Sequence, residues 1–194
     1  MADSDATKRA LLTAGRAEFA RSGLAGGRID RIAAEAGVNK QRIYAYYGSK
    51  NGLFSAVLAE ALNDLLEVVP FPEVGPPEQM IADYVETVGR YHRENPEFLR
   101  LLLWEALEAP ESAGASADRV GKYREKVDGF AMRFQLPHPD AAQLLLGAIG
   151  LAAWPNAVPQ LTALILADHG PDPSSQAAEW AGAAAAAIVQ PGAS

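Results

Sequence analysis

The spacing of apolar residues is the feature that most restricts the fold of this 194-residue chain. Apolar side chains recur three and four positions apart, and no stretch keeps the two-residue alternation of β-branched residues that is typical of strands. The pattern therefore predicts an all-α protein. Glycines, prolines and capping residues divide it into helices at about 5–21, 28–36, 39–46, 49–65, 77–94, 96–108, 117–134, 138–153, 156–167 and 175–189.

Composition excludes several classes of protein. The chain has no cysteine, which rules out disulfide scaffolds, thiolate metal sites and cysteine nucleophiles, and which is compatible with a reducing cytoplasm. The first ten residues lack the apolar segment of a signal peptide. The longest nearly unbroken apolar stretch, Leu144 to Trp154, is much shorter than the roughly 20 residues that span a bilayer. We therefore expect a soluble cytoplasmic protein.

Charge is distributed unevenly along the chain. Residues 1–54 contain nine Lys and Arg against five Asp and Glu, a net charge of +4. The whole chain carries −7, so residues 55–194 carry −11. A basic head on an acidic body is expected when the head binds a polyanion such as DNA. On charge alone, chance clustering of solvated side chains is an equally good explanation.

Two short predicted helices, 28–36 and 39–46, have the size and spacing of a helix-turn-helix, whose second helix enters the DNA major groove. Gly37 allows the turn between them. Ile43 and Tyr47 would anchor the second helix inward. Side chains that pair with adenine or guanine would then face the groove, namely Lys40, Gln41 and Arg42.

Other head residues are better placed for phosphates, which fix position without reading sequence. These are Tyr44, Tyr46 and Lys50, together with Arg28 at the start of the preceding helix. Asn39 can cap the recognition helix and completes the predicted DNA-binding set. Alternatively, Tyr44 or Tyr46 packs within a three-helix core.

Sixteen positions in this head also match a known family in order and spacing. They are Leu11, Leu12, Phe19, Gly23, Ile32-Ala33, Ala36-Gly37-Val38, Ile43-Tyr44, Tyr46-Tyr47, Ser49-Lys50 and Leu53. The stretch from Arg9 to Val57 thus resembles the DNA-binding domain of tetracycline-repressor (TetR) family transcription regulators. The resemblance implies a homodimer, a helical body with a small-molecule cavity, and a repressor that leaves its operator when ligand binds, with no cofactor. It also places Lys40, Gln41 and Arg42 toward bases, and Tyr44 and Lys50 toward phosphates.

Some positions depart from that family's pattern. Gly27 and Arg28 stand where two threonines usually cap the second helix and touch phosphate. Glu18 occupies a position that is often apolar, and Gln41 replaces a frequent glycine. Because Gln41 brings a larger side chain toward the groove, the base preference cannot be taken from relatives.

The predicted division is a helix-turn-helix domain at 1–54, linked by the helix from about 49 to an effector-binding and dimerisation domain at 55–194. The resemblance makes helices 138–167 and 175–189 the dimer interface, although from the residues alone they could equally form an internal core. Each aromatic residue of the body is individually more typical of a core. As a group they could line an apolar cavity with two polar contacts, a set comprising Tyr84, Tyr91, His92, Trp104, Tyr123, Trp154 and Asn156.

An enzyme is not predicted. The histidines at 92, 138 and 169 form no metal-ligand motif, and no nucleophile elbow, dinucleotide fingerprint or P-loop occurs. The alternative to a regulator is a helical small-molecule-binding or adaptor protein without sequence-specific DNA binding. That alternative leaves the basic head unexplained.

Overall fold

The computed structural model describes residues 2–71, 74–111, 117–168 and 172–189. These residues form ten α-helices and no strand, which confirms the all-α prediction. The helices are α1 (Ala2–Gly26), α2 (Ile29–Glu35), α3 (Lys40–Tyr47), α4 (Lys50–Val68), α5 (Pro77–Glu94), α6 (Pro96–Glu108), α7 (Ala117–Phe134), α8 (His138–Ala157), α9 (Pro159–Leu166) and α10 (Pro173–Ile188).

The chain divides into two compact units. The first unit comprises residues 1–64 and 97–117, and the second unit comprises residues 65–96 and 118–194. The predicted domain boundary after residue 54 falls within α4, and nearly all of α6 belongs to the first unit. The division into a DNA-binding domain and an effector domain remains a prediction.

The core of the first unit is built from the apolar positions that recur three and four apart. The rings of Phe19 on α1 and Phe54 on α4 meet edge to face with centroids 5.2 Å apart. Gly15 lets α4 approach α1 closely, because a Cβ there would lie 2.9 Å from Val57. The most deeply buried side chains of this core are each less than 2% exposed, and they include Leu11, Phe19, Ile32, Ile43, Leu53, Phe54, Val57 and Leu58.

Glycine is required at the two turns where the sequence predicts helices to stop. Gly23 interrupts α1 with a φ of 72°, and a Cβ there would lie 2.8 Å from the ring of Trp104. Gly37 follows α2 with a φ of 67°. Residues with a Cβ adopt such angles only at a cost. The predicted stop at Gly37 is confirmed, whereas Gly23 kinks α1 rather than ending it. The helical segment nevertheless resumes after Gly23 and continues to Gly26.

Side-chain caps start the two helices that follow. The Oδ1 atom of Asn39 accepts the N–H of Arg42 at 3.0 Å, at the beginning of α3. The Oγ atom of Ser49 accepts the N–H of Gly52 at 3.0 Å, at the beginning of α4. Each bond satisfies a backbone donor that has no partner inside the helix. The predicted cap by Asn39 is confirmed, and Ser49 caps α4 in the same way.

The second unit is built mainly on α5, α8 and α10, which pack against one another. Small residues on α10 allow this packing, since Ala181, Gly182 and Ala185 are buried. From α7, the ring of Phe130 meets that of Tyr84 edge to face, with centroids 5.0 Å apart. The small residues of α10 therefore form a closely packed helix face.

The predicted break after residue 153 is wrong. Helix α8 continues through Pro155 to Ala157, and the helical backbone is broken only at Val158, with φ −127° and ψ 61°. The cause is Pro159, because a proline ring disfavours helical angles at the residue before it. Pro159 then occupies the first turn of α9, where its missing N–H is not needed.

The last helix starts earlier than the predicted position near Ser175. Asp172 supplies the cap, its Oδ1 atom accepting the N–H groups of Ser174 and Ser175 at 3.1 Å each. Pro173 can therefore be the first helical residue.

No single helix within the described ranges is long and apolar enough to cross a bilayer. The pair α8 and α9, bent by 80° at its break, meets that requirement by length and composition alone.

Candidate nucleic-acid interface

Helix α3 presents a polar face because one side of it is anchored. Ile43 is fully buried, and Tyr47, one turn later, is half-buried with its hydroxyl enclosed. This confirms that these two residues point inward. The three side chains predicted to read bases, Lys40, Gln41 and Arg42, are all exposed.

Tyr44 and Tyr46 differ in their surroundings. Tyr44 is 49% exposed, so it is not a core residue of the head. Tyr46 is half-buried, with the Lys8 ammonium 5.6 Å from its ring centroid and its hydroxyl 3.4 Å from the Ser4 Oγ. The alternative of packing thus applies in part to Tyr46, whose ring also lies near the Lys8 ammonium, a group that attracts phosphate.

Lys50 is held by the last turn of α1. Its Nζ atom donates to the carbonyl oxygen of Ala25 at 2.9 Å. The backbone N–H of Ala25 donates to the carboxylate of Glu108 on α6 at 2.8 Å. The peptide groups around Ala25 therefore connect a predicted phosphate ligand to α6 within the first unit.

Arg28 stands at the position before α2, with an extended backbone and no capping bond from its side chain. Its guanidinium is 61% exposed and forms an ion pair with Asp30 at 2.8 Å. The hydrogen bond from Arg28 holds the pKa of the Asp30 carboxyl below its usual value. The structure thus leaves the cation at the surface, where the sequence places a phosphate contact.

Glu18 is a residue whose role the sequence did not predict. Its carboxylate is only 5% exposed, yet it accepts the N–H of Arg28 at 3.0 Å and pairs with Arg21 and with Arg31. Burial alone would raise the pKa of Glu18, but the Arg28 N–H and the two guanidinium groups lower it below the ordinary value. The departure from an apolar residue was visible in the sequence; the partners were not.

The residues predicted to contact an effector are distributed over both units. Tyr84, Tyr91 and His92 are buried on α5 in the second unit. Trp104 belongs to the first unit, where its indole N–H donates to the carbonyl oxygen of Ala20 at 3.4 Å. The structure therefore assigns Trp104 a local contact separate from the α5 group.

The remaining effector candidates lie nearer the surface of the second unit. Tyr123 is 38% exposed and Trp154 is 62% exposed. Asn156 donates from Nδ2 to the carbonyl oxygen of Ala152 at 2.9 Å. A void of about 10 Å³ beside Asn156 is about the size of one water molecule, and it does not accommodate an organic ligand.

Lys126 is a buried cation in the second unit that the sequence analysis did not single out. It is 7% exposed, donates to the Val69 carbonyl oxygen at 3.1 Å and lies 4.6 Å from the ring centroid of Phe71. The ring of Tyr84, whose phenol pKa is raised by burial, is 5.5 Å away on another side. Burial and the nearby Arg133 lower the pKa of Lys126.

The histidines give no catalytic arrangement in the described part of the chain. His92 is buried, and burial lowers its pKa to about 4. His138 is at the surface, 3.0 Å from the Asp128 carboxylate, and His169 lies outside the described residues. No group of three His, Asp or Glu side chains within the described ranges could hold a metal ion.

Helices α8, α9 and α10 expose large apolar side chains. Gly147 and Gly150 on α8 also lie at a surface with no atom close enough to contact an added Cβ. Such a concentration of apolar surface is typical of protein interfaces. The exposed large apolar residues are Leu146, Trp154, Leu161, Leu164, Ile165, Trp180 and Ile188, and we call this set the apolar face.

Two family models match consecutive parts of the chain. Residues 11–57 match the model described as bacterial regulatory proteins, tetR family. Residues 81–187 match the model described as the tetracyclin repressor-like C-terminal domain. The first match includes α2, α3 and the start of α4, and the second includes most of the second unit together with α6.

Full-length relatives agree with these matches. The HTH-type transcriptional repressor SCO4008 of Streptomyces coelicolor is 40% identical over 180 residues, which are 88% of this chain and 90% of the repressor. The crystal structure of the putative transcriptional regulator SCO4942 from the same organism superposes with a TM-score of 0.70 at 29% identity, covering 94% of this chain and 96% of that one. A transcriptional regulator of Rhodococcus sp. Rha1, at 19% identity, shares the fold with a TM-score of 0.72, covering 94% and 95%.

Proposed function

Because the chain belongs to the tetR family of bacterial regulatory proteins and is a DNA-binding transcriptional regulator, we propose that it represses transcription as a homodimer. It binds a palindromic operator through two copies of α3 and is released by a small-molecule effector. It acts in the cytoplasm, where its operator is. Residues 1–54 form the DNA-binding domain and residues 55–194 the effector-binding and dimerisation domain.

The observation that carries this proposal is the two-sided character of α3. Buried Ile43 fixes one side of the helix, and the exposed side chains Lys40, Gln41 and Arg42 of its first turn are offered to the major groove. Arg and Lys match the acceptors of guanine and Gln matches adenine, each good pair contributing about 1–3 kcal/mol of discrimination.

Phosphate contacts position this helix. Tyr44 and Tyr46 on α3, Lys50 at the start of α4 and Arg28 before α2 hold the backbone of the duplex, while Asn39 keeps the start of α3 in place. These contacts strengthen binding to any sequence and add no base preference. Their charge makes binding sensitive to salt, because counterions leave each neutralised phosphate.

The apolar face supports the homodimer. Its seven large side chains carry no charge, and α8 adds the exposed Gly147 and Gly150, where a second helix can approach closely. A second copy of the same face would remove these side chains from water, and a symmetric dimer is the commonest way to do so.

The effector acts on the second unit. We place its site near the aromatic side chains of α5 and α7, with Tyr84, Tyr91 and Tyr123 as apolar walls and His92 as a polar contact. Asn156 and Trp154 are further candidates. Binding there would favour a spacing of the two heads that no longer fits successive grooves, with a coupling of about 1–3 kcal/mol.

Footprinting of genomic fragments tests DNA recognition directly. The purified protein should protect a two-fold symmetric site whose half-sites lie one or more helical turns apart, each turn about 34–36 Å. Protection should weaken steeply as salt is added. The absence of any protected palindrome at every ionic strength would exclude the proposal.

A thermal-shift screen with mixed metabolites and drugs tests the effector. A true effector should raise the melting temperature of the free protein and lower its affinity for the operator, because the two binding events are linked. A compound that stabilises the protein but leaves operator affinity unchanged contradicts the proposed switch.

A further inference from the structure

The first helix of the helix-turn-helix lacks a conventional N-terminal cap. Arg28 occupies the capping position of α2, and its side chain makes no capping bond. Gly27, the residue before it, has no side chain with which to make one. A helix that starts without a side-chain cap is less stable than one capped by Ser, Thr, Asp or Asn.

Glu18 on α1 provides an acceptor at this helix start from another helix. Its Oε1 atom accepts the N–H of Arg28 at 3.0 Å. In a capping box, a Glu in the first helical turn accepts the N–H of the capping residue in the same way. Here the carboxylate comes from ten residues earlier in the chain, so it fixes the start of α2 to α1.

The second carboxylate oxygen of Glu18 is also occupied. Its Oε2 atom pairs with Arg21 on α1 and lies 3.4 Å from an Nη atom of Arg31 on α2. Both guanidinium groups remain about half exposed, at 56% and 49%. One buried negative charge therefore holds three arginines of the head through their backbone or side chains, along a cleft of about 790 Å³ between α1 and α2.

We propose that Glu18 is a positioning residue for operator binding, which keeps the start of α2 oriented so that the Arg28 guanidinium reaches a DNA phosphate. Glu18 itself does not touch DNA. The inference rests on the proposed function, because it assumes that α2 and α3 dock on a duplex. By charge alone, removing an acidic group from a DNA-binding head should raise its affinity for the operator. If Glu18 positions Arg28, its removal should lower that affinity instead.

The test compares Glu18→Leu with the matched control Glu35→Gln. Glu35 is exposed on α2 and borders the same cleft, so its substitution removes the same charge from the same region. Operator affinity is measured by fluorescence anisotropy at several salt concentrations, well below the melting temperature of each variant. Glu35→Gln should bind as tightly as the natural sequence or more tightly.

Glu18→Leu should instead bind about tenfold more weakly, the scale of one lost charge-assisted contact. The slope of log affinity against log salt should decrease by about 0.9, because one phosphate is no longer neutralised. If Glu18→Leu melts earlier but keeps the natural affinity and slope when folded, Glu18 only stabilises the head and the proposal is overturned.

Glu18→Gln provides the second variant, in case the leucine variant does not fold. Its amide oxygen can still accept the Arg28 N–H, but the ion pairs with Arg21 and Arg31 are lost, so its affinity should lie between those of the natural protein and Glu18→Leu. Affinity and slope equal to those of the natural protein would contradict the proposal.

A double substitution tests whether Glu18 acts through Arg28. In an Arg28→Ala background, Glu18→Gln should produce no further decrease in slope, whereas independent, additive effects would refute the link. Failure of the natural protein itself to bind any operator would be a different result, which would overturn the proposed function.

Discussion

The exposed side of α3 and the apolar face are both accessible surfaces, but they differ in what they present. Around Ile43, the α3 surface offers Lys40, Gln41 and Arg42, all polar or charged. The apolar face offers side chains such as Trp154 and Leu164, which are 62% and 74% exposed, and none of its seven members is charged. The first surface suits a polyanion, whereas the second suits another protein.

The same contrast holds beneath the surfaces. In the first unit a buried carboxylate, Glu18, remains charged because an N–H and two guanidinium groups surround it. In the second unit a buried imidazole, His92, is kept neutral because burial lowers its pKa to about 4. A buried carboxylate stays charged where hydrogen-bond donors surround it, whereas a buried imidazole stays neutral where burial is the main influence on its pKa.

The largest expected effect comes from placing a charge on the apolar face. Trp154→Glu should convert the dimer into monomers, because an unpaired carboxylate would be buried at the interface. Operator affinity should then fall about 100-fold or more, since each head would bind without the other. Analytical ultracentrifugation and operator titration measure both changes.

Met132→Glu is the matched control for that experiment. Met132 on α7 is 74% exposed and does not belong to the apolar face. This variant should remain dimeric. A monomer from Met132→Glu, or a tight dimer from Trp154→Glu, would place the interface elsewhere.

Acid should distinguish the two units. The pKa of His92 is about 4 in the folded protein, against an ordinary value of 6.5. Between pH 6.5 and pH 4, the unfolded chain therefore binds a proton at His92 that the folded protein does not bind. The second unit should therefore lose about 3 kcal/mol of stability as the pH falls from 6.5 to 4. The contribution of Glu18, whose folded pKa is lowered, should persist until the pH falls below the ordinary value of 4.5.

Hydrogen exchange of the two units, measured from pH 7 to pH 4 and corrected for the intrinsic rate, checks this difference. His92→Gln should remove most of the pH dependence of the second unit, while His138→Gln, at an exposed histidine, should leave it in place. Equal loss of protection in both units between pH 6.5 and 5 would contradict the contrast.

Substitutions of residues that contact bases and of residues that contact phosphates should have different effects on operator binding. Arg42→Ala should cost about 1–3 kcal/mol at the preferred operator and much less at a site altered in the base it contacts. Lys50→Ala should weaken binding to all sequences alike and reduce the salt slope. Titration of each variant against a panel of operators measures both. Equal effects of the two variants on every sequence would show that the roles are not divided.

The smallest effect concerns the cap of α3. Asn39→Ala should destabilise the first unit by about 1 kcal/mol, because the N–H of Arg42 loses its acceptor. Asn39→Ser keeps an oxygen at the same place and should lose less. Urea denaturation compares the variants, and a stable alanine variant would indicate that water replaces the cap without cost.

Most of the fold follows from local signals in the sequence. Helices α5, α6 and α7 begin and end where the sequence predicts, since prolines start the first two and the apolar spacing is clear. The sequence predicts the bend at the wrong proline. Pro155 and Pro159 can each break the helix, and the local sequence does not show which of them does so.

The candidate site was predictable only where it depends on neighbours in sequence. The cap by Asn39 and the inward direction of Ile43 follow from spacing along one helix. The partners of Glu18 depend on how α1 and α2 approach each other, and the contact of Trp104 with Gly23 joins residues about 80 positions apart. No pattern within a single helix contains that information.

The position of Trp104 against the Gly23 turn gives the protein a built-in optical reporter. The chain has only three tryptophans, and the other two, Trp154 and Trp180, belong to the apolar face. Replacing those two by phenylalanine would leave a single indole, whose emission reports on the kink at Gly23 in α1 without any attached dye. Conversely, the emission maximum of Trp154 and Trp180 in the natural chain depends on whether water reaches them, so it would report the proposed pairing of two copies.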